Sequence, residues 1–313
     1  MALYIPPQLT GSTAVVLYQT FGGVMRLKAA LGALASLFVL VTGSASATPN
    51  QVYARDGQIG FQQAVTPIME NITAFHSMVF WLIAAITLVV VALLAWVMIR
   101  YNAKSNPTAG RFSHNTLVEV VWTAVPVIIL VVIAVPSFQL LYFQDVIPES
   151  DFTIKATGNQ WNWSYEYPDH GGFSYVANML PEEELAPGQP RLLATDLPVV
   201  VPAGATVRVE VTASDVIHNW AMPSFGIKMD AIPGRLNETW FEVGDEDIGI
   251  YYGQCSELCG LRHAFMPIEI HVVPQDVFDA WVAAANEDPY EAPSVLAAHY
   301  DATARETRLA AAE

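Results

Sequence analysis

The sequence predicts a membrane-anchored protein in which a hairpin of two transmembrane helices precedes an all-β sandwich, a short C-terminal helix and a tail. Two observations predict this order. Within 313 residues, two uncharged apolar runs, 78–99 and 120–143, each exceed the ~20 residues that cross a bilayer. Behind them, short alternating stretches are separated by Gly and Pro, a pattern typical of a β-sandwich or barrel.

The first 47 residues are expected to be a leader that is absent from the mature fold. A basic start at 25–28 is followed by an apolar run at 29–41 and by the small residues 44–47, which end in an A-x-A pattern. This order is that of a secretory signal cleaved after Ala47. Met25 is placed as a true start would be, so a misplaced upstream start is one explanation for residues 1–24. Residues 48–77 then form an exported N-terminal segment.

The loop between the two apolar runs predicts the orientation of the hairpin, residues 78–143. It carries Arg100, Lys104 and Arg111 and no acidic residue before Glu119. Short loops rich in Lys and Arg stay in the cytoplasm. Everything after Phe143 should therefore face outward, which a secretory signal also requires. The predicted location is a bacterial plasma membrane with the soluble domain in the periplasm.

The negative charge is confined to the exported part. From Asp145 onward there are 27 acidic and 8 basic residues, a net charge of −19, against −16 for the whole chain. Such a field repels nucleic acid and raises the association rate of basic partners at low salt. Simple solubility of an acidic exported domain explains the composition equally well.

The soluble domain, residues 144–286, is predicted to consist of short strands and a closing helix. Alternation or aromatic enrichment marks the strand candidates 151–156, 161–167, 205–212, 238–243 and 267–273. Residues 275–286 place large apolar side chains at helical spacing and predict a helix. The tail, 287–313, is rich in Ala and Glu with few large apolar residues, and we expect it to be mobile or removed.

The only two cysteines lie in one run that also holds an imidazole and a thioether: Cys255, Cys259, His263 and Met266, with His218 upstream. Thiolate, imidazole and thioether together favour copper. A disulfide is the usual fate of two exported cysteines, but it leaves the following His and Met unexplained. Zinc is a further alternative, although its usual ligands are Cys, His and carboxylate. Heme attachment through C-x-x-C-H is excluded, because three residues separate the cysteines.

The order of these ligands along the chain favours a cupredoxin-like Greek-key sandwich. Blue-copper sites use two His, one Cys and an axial Met, and His218 follows an early strand while the other donors lie in a late loop. The second thiolate allows a second copper bridged by both sulfurs.

Four segments of the chain resemble subunit II of the heme-copper cytochrome c oxidases: GNQWNWSYEY (158–167), DVIH (215–218), DAIPGR (230–235) and YGQCSELCG (252–260). With the helical hairpin, the resemblance extends from about residue 61 to 281. Relatives that oxidise quinol have the same fold and lack the cysteines, so the cysteines favour cytochrome c as the electron donor. Residues after Tyr167 depart from the family pattern, which leaves other docking acids unassigned.

The resemblance implies a dinuclear copper centre, CuA, with two copper ions. Cys255 and Cys259 would bridge the ions, and His218 and His263 would each bind one. Met266 would be a weak ligand of one ion, and the backbone carbonyl of Glu257 a weak ligand of the other. The Glu257 side chain would bind magnesium at the interface with the catalytic subunit. Taken alone, that carboxylate is equally well explained as a solvated loop acid.

The resemblance also assigns four residues outside the copper ligands. Trp161 would be the residue through which electrons enter, although an indole taken alone more often packs in a core. Glu166 and Asp215 would dock the donor. Glu119, in Glu-x-x-Trp, would mark the entrance of a proton path, although an acid in the first turn of a helix is also stabilised by the helix dipole.

These inferences together predict the electron-input subunit of a terminal oxidase. It would accept electrons from cytochrome c and pass them to heme in a partner subunit, because neither predicted span contains a His. The partners would be cytochrome c, the heme-bearing catalytic subunit and further subunits. A membrane-anchored copper chaperone is the alternative.

Overall fold

The computed structural model describes residues 50–108 and 110–310, so the predicted leader lies outside the described residues. Helix α1 (Pro67–Arg100) and helix α2 (Thr116–Asp145) form the hairpin. Both are long and apolar enough to cross a membrane, and neither apolar stretch is buried inside the protein. Apolar side chains left without a protein core need lipid or a partner helix around them.

Capping residues determine where the two helices begin. The Thr66 side chain accepts a 3.1 Å bond from the Met69 N–H, and Pro67 occupies the first turn, where its missing N–H costs nothing. Helix α1 therefore starts well before the predicted apolar run. The Asn115 side chain caps α2 in the same way, accepting from the Val118 N–H at 3.2 Å.

The soluble domain is a sandwich of two sheets, which confirms the predicted fold class. One sheet has the order β4-β3-β2-β6-β9, and the other β5-β11-β10-β7-β8 with β1 added beside β10. The strands are β1 (Gln51–Val52), β2 (Phe152–Asn159), β3 (Asn162–Glu166), β4 (Ser174–Ala177), β5 (Val199–Pro202), β6 (Thr206–Ala213), β7 (His218–Met222), β8 (Ile227–Ala231), β9 (Asn237–Glu242), β10 (Gly249–Cys255) and β11 (Pro267–Val273).

Strand β6 shows why the sandwich closes. Its side chains alternate strictly, with Val207, Val209 and Val211 fully buried and Arg208 and Glu210 facing outward. Burying a Val side chain stabilises the fold by ~1.5–3 kcal/mol. Slipping the strand by one residue would expose these valines and bury the charged side chains instead. The alternation predicted from sequence is confirmed here.

The N-terminal segment belongs to the sandwich, which the sequence analysis did not anticipate. Strand β1 pairs in parallel with β10, and the side chains of Val52 and Val65 are buried. The Thr66 hydroxyl donates to the Phe225 carbonyl oxygen at 2.8 Å. The segment therefore ties the start of α1 to the sheet that carries β10.

Two helices follow the last strand. Helix α3 (Gln275–Glu287) is the predicted closing helix, with Phe278 and Trp281 buried. Helix α4 (Pro293–Ala310) occupies most of the tail that was expected to be mobile or removed. Its few large side chains lie on one face, where Leu296 is buried and Tyr300 packs against the core. Two well-placed contacts thus compensate for a sequence poor in apolar residues.

A buried polar chain adds to the attachment of α4. The Tyr300 hydroxyl lies 2.9 Å from Nδ1 of His271, whose Nε2 lies 2.8 Å from the Glu269 carboxylate. Glu269 also accepts the Thr195 N–H at 2.6 Å. If His271 donates to Glu269 and accepts from Tyr300, every ring nitrogen is satisfied with the imidazole neutral.

Candidate metal centre

Three neighbouring strands bring the predicted ligands to one edge of a sheet. Strand β7 begins at His218, β10 ends at Cys255, and β11 begins directly after Met266. Strand β10 pairs with both of the others, and Cys255 lies opposite Trp220 in the ladder with β7. The backbone pairing therefore positions donors that are up to 48 residues apart in sequence.

Gly253 allows β7 and β10 to approach this closely. A Cβ at this position would lie 2.0 Å from the Ala221 carbonyl oxygen and 2.4 Å from the Met222 sulfur. No side chain fits in that space, so glycine is required by the close approach of the backbones.

The donor atoms fall into two groups, each centred on one thiol. Sγ of Cys255 lies 3.9 Å from Nδ1 of His218 and 3.3 Å from the Glu257 carbonyl oxygen. Sγ of Cys259 lies 3.5 Å from Nδ1 of His263 and 3.5 Å from Sδ of Met266. The two sulfurs are 3.8 Å apart.

This donor set fits copper better than the alternatives. Both cysteines are free, and their 3.8 Å separation is far beyond the ~2.05 Å of a disulfide bond. The ligand atoms of His218, Cys255 and Cys259 all lie within 4.8 Å of one another. A thioether in the same cluster favours copper over zinc. Two thiols with separate partners would give each of two metal ions its own imidazole.

The two thiols differ in acidity. Burial raises the pKa of Cys255, but hydrogen bonds from His218 and from the Asn219 N–H outweigh it and bring the pKa to about 7. Burial and the neighbouring Cys255 thiolate raise the pKa of Cys259 to about 12. The first thiolate therefore forms readily near neutral pH, and the second requires the charge of a bound metal.

Asp215 orients the His218 imidazole. Its Oδ1 lies 2.8 Å from Nε2 of His218, and Nδ1 faces Cys255. With Nε2–H donating to the carboxylate, Nδ1 is the nitrogen that a metal would bind in place of its hydrogen bond with Cys255. Burial lowers the pKa of His218, but the hydrogen bonds to Cys255 and Asp215 raise it more strongly.

The Asp215 carboxylate connects His218, at the start of β7, to the turn between β2 and β3. It also accepts the Val216 N–H at 2.6 Å and the Gln160 N–H at 2.7 Å. Burial opposes ionisation, but these three hydrogen bonds hold the pKa of Asp215 below its usual value. The Gln160 side chain in turn donates to the Cys259 carbonyl oxygen at 2.8 Å.

The structure places Trp161 next to the ligand loop, the segment between β10 and β11 that runs from Cys255 to Met266. The indole is half-buried against the core, and a Cβ at Gly260 would lie 3.1 Å from it. Trp161 is therefore close to the backbone that follows Cys259. The neighbouring Trp163 is fully buried beside His218. The sequence analysis did not anticipate this contact with a predicted ligand.

The remaining predicted residues lie outside the ligand cluster. Glu166 is in β3, 3.4 Å from Lys155, so part of its charge is neutralised within the chain. The Glu257 side chain is exposed on the ligand loop. Glu119 is half-buried in the first turn of α2, where its Oε1 accepts the Asn115 N–H at 3.2 Å. That bond satisfies a free donor at the helix start.

Gly158 lies against the His218 side chain, and Gln160 bonds to Asp215 and to the Cys259 carbonyl, contacts that the sequence analysis did not single out. Both residues lie in the segment GNQWNW, but their contacts depend on how β2 and β3 pair. A Cβ at Gly158 would lie 2.8–3.0 Å from three atoms of the His218 side chain.

The fold and the donor set are those of a membrane-anchored copper protein. A membrane hairpin precedes an all-β sandwich, and two thiols, two imidazoles and a thioether lie at one edge of a sheet. Residues 54–140 match the family described as cytochrome c oxidase subunit II, transmembrane domain, and residues 152–273 match its periplasmic domain. The chain belongs to the cytochrome c oxidase subunit II family, which confirms the resemblance. It is therefore a subunit of an oxidoreductase complex.

Two relatives found by sequence agree with this assignment. A probable cytochrome c oxidase subunit 2 of Rickettsia bellii is 52% identical over 230 residues, covering 74% of this chain and 85% of that protein. Subunit 2 of Cereibacter sphaeroides is 42% identical over 259 residues, covering 77% and 85%. The solved periplasmic domain of subunit II from Bradyrhizobium japonicum is 54% identical, covering 45% of this chain and 98% of that one, with a TM-score of 0.43.

Proposed function

We propose that this chain receives electrons from cytochrome c at a dinuclear copper centre and delivers them to heme in a catalytic partner subunit. The observation that carries the proposal is the division of the donors into two groups, 3.8 Å apart at their sulfurs. The residues that would hold the two ions are His218, Cys255, the Glu257 carbonyl, Cys259, His263 and Met266. When bound, the copper pair supplies a one-electron redox couple.

The chain's own residues prepare this site. Asp215 keeps the Nε2 proton in place, so that Nδ1 is the nitrogen that His218 would present to a metal. His218, Cys255, Cys259 and Met266 are all at least 95% buried, which excludes water from the donor atoms. Strand pairing fixes the positions of both ends of the ligand loop, and a fixed ligand set keeps rearrangement small when the charge changes.

The surface around the site is suited to partners. On the ligand loop, Leu258 is 77% exposed and Leu261 is 91% exposed. Exposed apolar side chains clustered beside a site mark a surface that another protein covers. We assign this surface to contact with the rest of the oxidase or with the donor, and Trp161, next to Gly260, to electron input. The strongly acidic soluble part would attract a basic cytochrome c, with Glu166 and Asp215 in the docking region.

Further roles follow from the family. The exposed Glu257 carboxylate would bind magnesium together with the catalytic subunit, and Glu119 would mark the entrance of a proton path on the opposite side of the membrane. The two-span hairpin would place the copper domain in the periplasm of a bacterium. Heme would reside only in the partner subunit.

The experiment is a copper count and an electron-spin spectrum of the full-length chain in detergent after copper reconstitution. Two coppers per chain, a purple colour and an electron-spin signal shared equally by two nuclei are expected. One copper, or a colourless Cu(I) species, would contradict the dinuclear centre and support the copper-chaperone alternative.

A further inference from the structure

Trp163 contacts both donor groups of the candidate copper centre. The indole is fully buried in β3, and its ring centroid lies 6.0 Å from that of His218 in an edge-on arrangement. Its Nε1–H donates to the backbone carbonyl oxygen of Met266 at 3.4 Å. His218 is grouped with Cys255, and Met266 with Cys259. One side chain thus contacts a member of each group.

Gly158 completes the surroundings of the imidazole. It lies directly opposite Trp163 in the β2–β3 ladder, so a side chain at position 158 would project beside the indole. The ring of His218 occupies that space, because a Cβ at Gly158 would lie 2.8–3.0 Å from it. Glycine beneath the ring, the indole beside it and Asp215 at Nε2 together determine its position.

We propose that Trp163 is a positioning residue that fixes the His218 imidazole relative to the Met266 thioether. It thereby sets the reduction potential of the centre and how evenly the two metal positions share an electron. This inference rests on the proposed function. Groups outside the ligand set orient the ligands and tune the metal, and the thioether in particular tunes the potential of copper sites.

Trp163→Phe separates the two contacts. Phenylalanine retains an aromatic ring near His218 but has no N–H donor for the Met266 carbonyl. That carbonyl keeps its 3.3 Å bond from the Cys255 N–H, so the start of β11 stays closed. A thioether held less firmly stabilises Cu(I) less, because soft sulfur favours that state. At a fixed potential, we expect the ratio of oxidised to reduced centre to rise about tenfold, which corresponds to a reduction potential about 59 mV lower.

The test compares the full-length chain in detergent, reconstituted with copper, with Trp163→Phe and Trp281→Phe. Trp281 is an equally buried indole in α3 that packs on Tyr167 and Phe173, away from the ligands. All three proteins should hold two coppers. Only Trp163→Phe should lower the potential and make the electron-spin signal unequal between the two nuclei. Identical potentials and spectra for the two variants would overturn the inference.

A second variant keeps the test decisive if Trp163→Phe fails to fold. Gly158→Ala retains the indole and places a methyl group against the imidazole, which must move. We expect an unequal electron-spin signal from this variant, and an unchanged signal would show that the imidazole is not held there. Fewer than two coppers in the unmodified chain would refute the proposed function itself, and this inference with it.

Discussion

Asp215→Asn tests whether the carboxylate that holds the His218 imidazole controls copper binding. In the structure, Oδ1 of Asp215 accepts the His218 Nε2–H and the Val216 N–H, while Oδ2 accepts the Gln160 N–H. An amide has only one acceptor oxygen. Its NH₂ group must therefore face a donor, either the Gln160 N–H or the pair formed by His218 and Val216.

The expected loss can be derived in two ways. The substitution removes at least one hydrogen bond to a charged group, worth ~1.5–3 kcal/mol. Losing such a partner of a metal-binding His lowers metal affinity by ~10–100-fold, equivalent to ~1.4–2.8 kcal/mol. The Asp215 side chain is 32% exposed, so solvent weakens the effect. We expect a loss near the lower end, about tenfold.

The assay is competition for copper between the full-length chain and a soluble chelator of known affinity. The control is Asp169→Asn, because Asp169 also accepts a backbone N–H, that of Thr153 at 2.7 Å, but lies in the 3₁₀ turn after β3. The control should retain copper like the unmodified chain. Equal copper retention by Asp215→Asn would refute the reasoning.

The same variant separates two roles assigned to Asp215. If the carboxylate mainly docks a basic donor, Asp215→Asn should raise the Michaelis constant for cytochrome c at low salt and leave copper binding unchanged. If it mainly positions His218, copper is lost at any salt concentration. Its three short internal hydrogen bonds favour the second result.

Three further predictions concern the thiol, the acidic surface and the last helix. Cys255→Ser should abolish cytochrome c oxidation by the complex while the hairpin still inserts in the membrane; retained oxidation would contradict electron input at this site. Glu166→Gln should raise the Michaelis constant for cytochrome c at low salt. The increase should be smaller than for an unpaired carboxylate, because Lys155 lies 3.4 Å from Glu166. A Michaelis constant with unchanged salt dependence would remove Glu166 from the docking region. Tyr300→Phe should lower the free energy of unfolding by ~1 kcal/mol, since the bond to His271 is lost; an unaltered urea midpoint would show that this bond does not stabilise α4.

The clustered donor residues could be predicted from sequence because their chemistry is local. Four side-chain donors lie between Cys255 and Met266, and no disulfide, zinc or heme motif accounts for all of them. His218 lies 37 residues before Cys255, and it could be assigned only through its place after a predicted strand and through the family pattern. Strand β6 could likewise be predicted from its alternating residues, because burial of one face of a strand requires apolar and polar side chains to alternate.

The residues that pack around His218 and the elements at the chain ends could not be predicted in the same way. The roles of Gly158 and Trp163 depend on the register of β2 and β3, which the sequence does not specify at single-residue precision. Strand β1 has only two residues, too few to show a period. Helix α4 is poor in apolar residues, and its attachment depends on a long-range bond between Tyr300 and His271.

The closure of the ligand loop explains how a short run of sequence could form the proposed site for two metal ions. The Cys255 N–H donates to the Met266 carbonyl oxygen at 3.3 Å, and the Ser256 N–H donates to the Asn219 carbonyl oxygen at 3.1 Å. These bonds join the two ends of the loop to each other and to β7, the strand that carries His218. The entropic cost of ordering the donor side chains is therefore largely incurred when the sandwich folds, before any metal binds. A site ordered in this way requires little rearrangement on metal binding or on a change of charge, as one-electron transfer requires.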